Sequence, residues 1–156
     1  MKKISRYTQL LEDDNQCIER LLKKWKPSVF GLSEKQYEQE LQSWLQVQLL
    51  DVPIVAQYGI AKGKADLVIQ DSHVIELKLA FESDSVAEFD RCIGQMERYK
   101  QKWVNKDVGP VYLVVVGESD TEFRNLLHTW FKEVNDKLTD EFFGKPKFYL
   151  IEKRPN

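Results

Sequence analysis

The chain has 156 residues, of which 42% are hydrophobic and 31% charged, with a formal net charge of −2. That length and balance describe one folded domain over 1–156 with enough chain to bury a core, and they exclude a fibrous or disordered polymer. The charge provides no whole-molecule attraction to nucleic acid or anionic membrane, so a polyanion would have to meet a local patch.

Met1-Lys2-Lys3-Ile4-Ser5-Arg6 is basic but leads into no apolar segment of the signal-peptide kind. No run approaches the ~20 apolar residues of a membrane span, so no membrane association is expected. Cys17 and Cys92 both fall in apolar helical stripes, where a reduced, buried thiol is the ordinary state. Without an export signal, two such cysteines point to a cytoplasmic protein. There is no internal repeat and no low-complexity tract.

Ile4 to Trp25 reads as a helix, because Leu10, Leu11, Cys17, Ile18, Leu21, Leu22 and Trp25 recur at three- and four-residue spacing. Residues 1–27 thus form an N-terminal helical extension, stopped at Pro27. The cations Arg20, Lys23, Lys24 and Lys26 near its end suit the negative end of the helix dipole, a simpler reading than a nucleic-acid contact. A second helix opens at Ser33, with Gln36 completing a capping box, and runs to about Leu50. Tyr37, Leu41, Trp44, Leu45, Gln48 and Leu49 make one arc of it. Glu38 falls inside that arc and therefore needs a partner. Glu34 points the same way, but its place in the first turn is explained by the dipole alone.

Pro53 to Tyr58 reads as a short strand, followed by a loop from Gly59 to Gly63. The stretch Gly63-Lys64-Ala65-Asp66-Leu67-Val68-Ile69, a turn at Gln70 to His73, and then Val74-Ile75-Glu76-Leu77-Lys78-Leu79 reads as a hairpin. Side chains alternate along a strand, so Glu76 and Lys78 share one face while Ile75, Leu77 and Leu79 line the other. A two-residue turn would put Asp66 on the face away from Glu76. The two carboxylates share a face only if the turn has three residues or carries a bulge, and that geometry is expected here. His73 is taken as a turn residue rather than a ligand.

A long helix is expected from Ser83 or Asp84 to about Val104, with Phe89, Cys92, Ile93, Met96 and Trp103 as its apolar stripe. Glu88, Arg91, Gln95 and Tyr99 border that stripe. Val111 to Val116 is a near-continuous apolar run, hence a strand covered on both faces. Ser119 with Glu122 is read as a capping box for a helix carrying Phe123, Leu126, Leu127, Trp130, Phe131, Val134 and Leu138, whose aromatics are core rather than a base-stacking surface. Lys147 to Glu152 is a final strand. The order α-α-β-β-β-α-β-α-β implies an α/β fold with a central mixed sheet flanked by helices.

Three charges in apolar strands need an explanation, since a buried charge is costly unless paired or metal-bound. Asp66 and Glu76 are read as ligands of a divalent cation, with Lys78 serving the chemistry beside it and Glu38 joining from its helix. Oxygen ligands favour Mg²⁺ or Mn²⁺, and such an ion beside a lysine suits hydrolysis of a phosphodiester. The lysine can orient or deprotonate the attacking water, or stabilise the transition state. Nothing suggests zinc, a nucleotide cofactor, or a Ser or Cys nucleophile.

Asp66, then Glu76-Leu77-Lys78 on a hairpin, with Tyr37-Glu38 before it and Gly94-Gln95 and Tyr99 after it, resembles the PD-(D/E)XK nuclease superfamily. The likeness spans about residues 33–117 and leaves 119–152, the last helix and strand, unassigned. Ala65 stands where the family name has proline. The resemblance implies the restriction-endonuclease-like αβββαβ core, here with an extra N-terminal helix, and a metal-dependent nuclease acting on DNA. It makes Asp66, Glu76 and the carbonyl of Leu77 metal ligands, with Glu38 binding directly or through water. Lys78 becomes the catalytic lysine, and Gln95 positions that lysine or the scissile phosphate. Lys62 and Lys64 beside the site, and Tyr99, Lys100, Lys102 and Lys106 on the following helix, would meet the nucleic acid. Cleavage of both strands, or of a junction, would favour a homodimer; resolvase, restriction or defence, and repair roles all stay open. The rival readings are a non-catalytic nucleic-acid-binding or protein-interaction module on the same fold, and a structural ion-pair network in an unrelated α/β domain.

Overall fold

The apolar run Val111–Val116 forms the strand around which both layers close. In the computed structural model every one of its six residues is buried, as an all-apolar strand covered by helices on both sides requires. The structure describes residues 17–60, 63–80, 85–106, 108–142 and 146–155. In chain order the elements are helix α1 (residues 17–24), α2 (Glu34–Gln48), strands β1 (Ile54–Ile60), β2 (Gly63–Ile69) and β3 (His73–Leu79), helix α3 (Ser85–Tyr99), β4 (Val111–Val116), α4 (Thr121–Phe142) and β5 (Phe148–Lys153). The order agrees with the alternating periodicities of the sequence. The part of the first helix expected before Cys17, and the helix start expected at Ser83 or Asp84, lie outside the described residues.

The five strands lie in the order β1-β2-β3-β4-β5. The first three are antiparallel neighbours, and β3, β4 and β5 run parallel, which makes the sheet mixed. Helices cover both faces. On one, Ile18, Leu22 and Trp25 of the N-terminal segment and Tyr37, Leu41 and Leu45 of α2 pack on Leu67, Ile75, Leu77, Tyr112 and Val114. On the other, Cys92 and Met96 of α3 and Phe123, Leu127 and Phe131 of α4 pack on Val68, Val74, Leu113 and Val115. The alternation of inward residues along β3 and β4 between these two layers is the period of two at work.

Several local expectations are refined. The segment read as a loop from Gly59 to Gly63 instead extends the β1–β2 ladder, with Gly59 opposite Lys64 and Ile60 opposite Gly63. Helix α4 is capped by Asp120, whose Oδ1 accepts the amide of Phe123 at 2.8 Å, and not by the Ser119–Glu122 box. Both residues satisfy the capping signature, and one residue of phase decides between them. Helix α2 does carry the expected box of Ser33 and Gln36. After Tyr99 the long helix continues as a π-helical turn (Lys100–Val104), which buries Trp103 and Val104 together. His73 is the first residue of β3 and is buried, its Nδ1 3.3 Å from the Tyr112 hydroxyl. Cys92 is buried and Cys17 half-buried.

Candidate functional site

The turn that joins β2 to β3 has three residues, Gln70, Asp71 and Ser72, with the ladder pairing Ile69 with His73 and Leu67 with Ile75. Gln70 and Asp71 both have positive φ (57° and 55°), as at the centre of a type I′ turn, and the Ser72 amide donates to the Ile69 carbonyl at 3.1 Å across them. Continued one step, the register brings Asp66 opposite Glu76. The odd-length turn expected from the charges is the one found.

At that step the strands cease to pair backbone to backbone, and the carboxylates take over. The amide of Asp66 donates to Glu76 Oε1 at 3.2 Å, and the amide of Leu77 donates to Asp66 Oδ2 at 2.8 Å. On the other flank, β1 skips its pairing at Gln57, which has φ 54°. Ile54 and Ala56 pack in the layer of α2, whereas Tyr58 and Ile60 pack in the layer of α3. The strand therefore changes face at Gln57, a bulge-like reversal beside the carboxylate pair. The side chain of Gln57 reaches across to Glu38 Oε1 at 2.9 Å.

Glu76 is only 2% exposed. Its Oε1 also accepts from the Tyr99 hydroxyl at 2.7 Å, and Gln95 Nε2 donates to the same hydroxyl at 3.3 Å. Gln95 thus belongs to the site through Tyr99. Tyr99 itself, expected among the nucleic-acid contacts, is 3% exposed and turned onto Glu76. Its phenol is spent inside the fold and offers nothing to a phosphate. Lys100 ion-pairs with Glu97 at 3.9 Å, Lys64 is exposed on β2, and Lys62 lies outside the described residues.

Burial raises the Asp66 carboxyl above its usual range, and Leu77's amide works against that rise. Burial, and then the neighbouring Asp66, push Glu76 up to about 8. The hydrogen bond between the two side chains raises Glu76 and lowers Asp66, so the proton that the metal-free pair retains resides on Glu76. No lysine, arginine or histidine stands within ion-pair distance of either carboxylate among the described residues. A pair of carboxyl groups that shares a proton and has no cation beside it has the chemistry of a hard divalent-cation site, and the residues fit Mg²⁺ or Mn²⁺.

Glu38, 5% exposed, stands at the border of the pair. Its charge raises Asp66, while its own Oε1 is held by Gln57 and lies 3.6 Å from Lys35 Nζ. Glu34 comes closer to the strands than dipole complementarity alone would require. Its Oε1 accepts the amide of Leu79 at 3.2 Å, and its charge also raises Asp66. The helical wheel points Glu34 toward the strands, a signal that its first-turn position masks. Among the described residues no three His, Cys, Asp or Glu side chains already converge on one point, so Glu38 and Glu34 are outlying members of the group. Lys78 is half-buried, two residues beyond Glu76 on the same face, with no ion-pair partner among the described residues. Glu76 and Lys78 share the face of β3 that carries Val74 into the α3 layer, and Tyr99 of α3 donates to Glu76 there.

Gln57, Glu34 and the positioning role of Tyr99 are the parts that sequence reasoning missed. The left-handed turn of Gln57 has no signature in the residues around it. No family model, no curated protein and no solved structure matches the chain.

Proposed function

We propose that this protein is a divalent-metal-dependent deoxyribonuclease that hydrolyses phosphodiester bonds, built on a restriction-endonuclease-like core. The single observation that carries the reading is the pairing of Asp66 with Glu76 at a gap in the β2–β3 ladder, with Lys78 half-buried on the same face of β3. In this reading Asp66, Glu76 and the Leu77 carbonyl hold Mg²⁺ or Mn²⁺, with Glu38 alongside. The bound ion would lower the pKa of a water and offset charge developing on the phosphate. Tyr99, itself held by Gln95, fixes the rotamer of Glu76 through its hydroxyl. The backbone amides fix Asp66 and Glu76 across the strand gap, so the ligand oxygens need little reorganisation. Lys78 is the residue placed to orient the water or deprotonate it, or to stabilise the charge that builds on phosphorus-bound oxygen. One such site cuts one strand, so cleavage of both strands calls for two copies of the chain.

A second reading has one observation in its favour. Among the described residues every buried side-chain nitrogen and oxygen already has a hydrogen-bond partner, as in a purely structural polar network on a non-catalytic binding module. Plasmid and branched-DNA cleavage with Mn²⁺ separates the two. Wild type should nick or cut, and Lys78→Ala should lose about 10²–10⁴-fold in rate while melting at an unchanged temperature. Intact substrate with wild type, or equal cleavage by Glu76→Gln and wild type, would sink the nuclease reading.

A further inference from the structure

We infer that the cleft between the end of α1 and the end of β5 is a phosphate-binding subsite for a DNA strand on its way to the Asp66–Glu76 pair. The inference rests on the nuclease reading above and adds where the substrate is held. The cleft, of about 330 Å³, is lined by Lys23, Lys26, Lys153 and Arg154 together with Trp25 and Phe30. Its single carboxylate is Glu152, and both oxygens of that group are already engaged. Arg124 Nε lies 3.0 Å from one, and His128 Nε2 lies 2.6 Å from the other.

The four cations are not equivalent. Lys23 pairs with Glu19 at 3.3 Å on the outer side of the helix. Lys153 donates from Nζ to the Lys23 carbonyl at 2.6 Å, so the helix end accounts for its position. Lys26 follows the helix and Arg154 comes from the other end of the chain, and both are exposed. Neither has a carboxylate partner among the described residues. The helix dipole, which accounts for a run of lysines in sequence, gives no reason for Arg154 to join them. Burial and the charge of Lys26 both lower the Lys153 pKa, as like charges gathered at one place do. A phosphate diester is the anion whose size and charge suit a cluster of lysines with one arginine. Phe30, 41% exposed, adds a ring on which a base or sugar can rest.

The place of the cleft relative to the acids is set by the parallel strands. Lys153 pairs with Val116, and Val116 with Leu79, so the three strands end level with one another. At about 4.8 Å per strand, Lys153 is about 10 Å from Leu79. Glu34 holds the amide of Leu79, and Lys78 and Glu76 precede it. The cleft opens on the α1 side of the sheet whereas Glu76 and Lys78 face α3, so a polyanion held in the cleft reaches the carboxylates by crossing the level ends of β3, β4 and β5. The cationic end supplies the attraction that the acidic end lacks.

The test is binding of a labelled double-stranded DNA oligonucleotide in EDTA, followed by fluorescence anisotropy across a range of salt. The proteins compared are wild type, the double variant Lys26→Ala with Arg154→Ala, and Lys132→Ala as a control cation that is paired with Asp136 on α4. Two lost phosphate contacts lower the slope of log affinity against log salt by about 1.8, and Lys132→Ala leaves it unchanged. An unchanged slope in the double variant, an equal loss with Lys132→Ala, or no binding by wild type overturns the subsite. Mn²⁺-dependent cleavage is scored separately. A wild type that binds through the cleft and leaves DNA intact would remove the nuclease reading and keep the subsite. Cleavage by a wild type whose double variant keeps its slope would do the reverse.

Discussion

At the residue scale the molecule is governed by what it costs to bury two carboxyl groups side by side. Glu76 holds its proton up to about pH 8 in the folded, metal-free chain, against 4.5 for an ordinary glutamate. The folded state therefore binds more protons than the unfolded state between those values, and stability falls as pH rises through the window. The contribution is complete below about 4.5 and gone above about 8. Urea midpoints measured in EDTA across this range should decline for wild type, and Glu76→Gln should flatten the decline because glutamine cannot ionise. Parallel profiles for the two proteins would show that Glu76 titrates normally. Tyr99 supplies the second residue-scale prediction. Burial and the charge of Glu76 push its phenol far upward, so it remains a donor throughout the accessible range. Tyr99→Phe leaves Glu76 without that donor, and stability should drop by about 1–3 kcal/mol. The Tyr99 hydroxyl also lowers the Glu76 pKa. The pH midpoint of the stability decline should accordingly move upward in the phenylalanine variant, a displacement that a loss of packing alone would not produce.

At the element scale, the decisive features are short connections whose backbone leaves no slack. The three-residue turn between β2 and β3 sets which face Asp66 occupies, and a turn one residue shorter would put it in the layer of α2. That turn is held from outside: Trp103 Nε1 donates to the Ser72 carbonyl at 3.2 Å. Gly109 passes so close to the same carbonyl that an added Cβ would fall 1.9 Å from its oxygen. The contact is with backbone at both ends, so neither side can rotate away. Gly109→Ala should cost about 3 kcal/mol in denaturant unfolding, and a change below the error of the measurement would show that the 105–110 connection can shift as a unit. The odd-length turn was legible from the charges alone, because only that length lets two costly carboxylates share a solution. The cap of α4 was not, since Ser119 and Asp120 both satisfy the capping pattern one residue apart and packing of Phe123 chooses the phase.

At the scale of the whole molecule, two apolar layers grip a mixed sheet, with Asp66 and Glu76 at the middle of β2 and β3 and Leu79 at the end where β3, β4 and β5 stop together. No described helix is long and apolar enough to cross a membrane. Because the two carboxyl groups come together only when β2 and β3 pair, an ion bound between them would stabilise the fold by linkage. Free Mn²⁺ at about a hundredfold over its Kd should add about 2.7 kcal/mol. The rise in melting temperature should be larger at pH 8 than at pH 6, since protons compete for Glu76 at the lower value. Glu76→Gln should lose most of it, and an equal rise in that variant would place the ion elsewhere.

The sequence by itself determined the element order and the inward faces of α2, β3 and β4, and it marked Asp66, Glu76, Lys78 and Glu38 as charges that need partners. These follow from periodicity and from the cost of unpaired charge, which are local quantities. Only the tertiary structure decided how those charges are wired. It turned Tyr99 from a surface contact into the donor that holds Glu76, brought Glu34 onto the Leu79 amide, and reversed β1 at Gln57. It also set Lys26 beside Arg154, residues separated by nearly the whole chain. Hydrogen-bond partners and charge clusters of that kind depend on which strand ends lie level, and that is fixed by packing between segments distant in sequence rather than by any pattern within them.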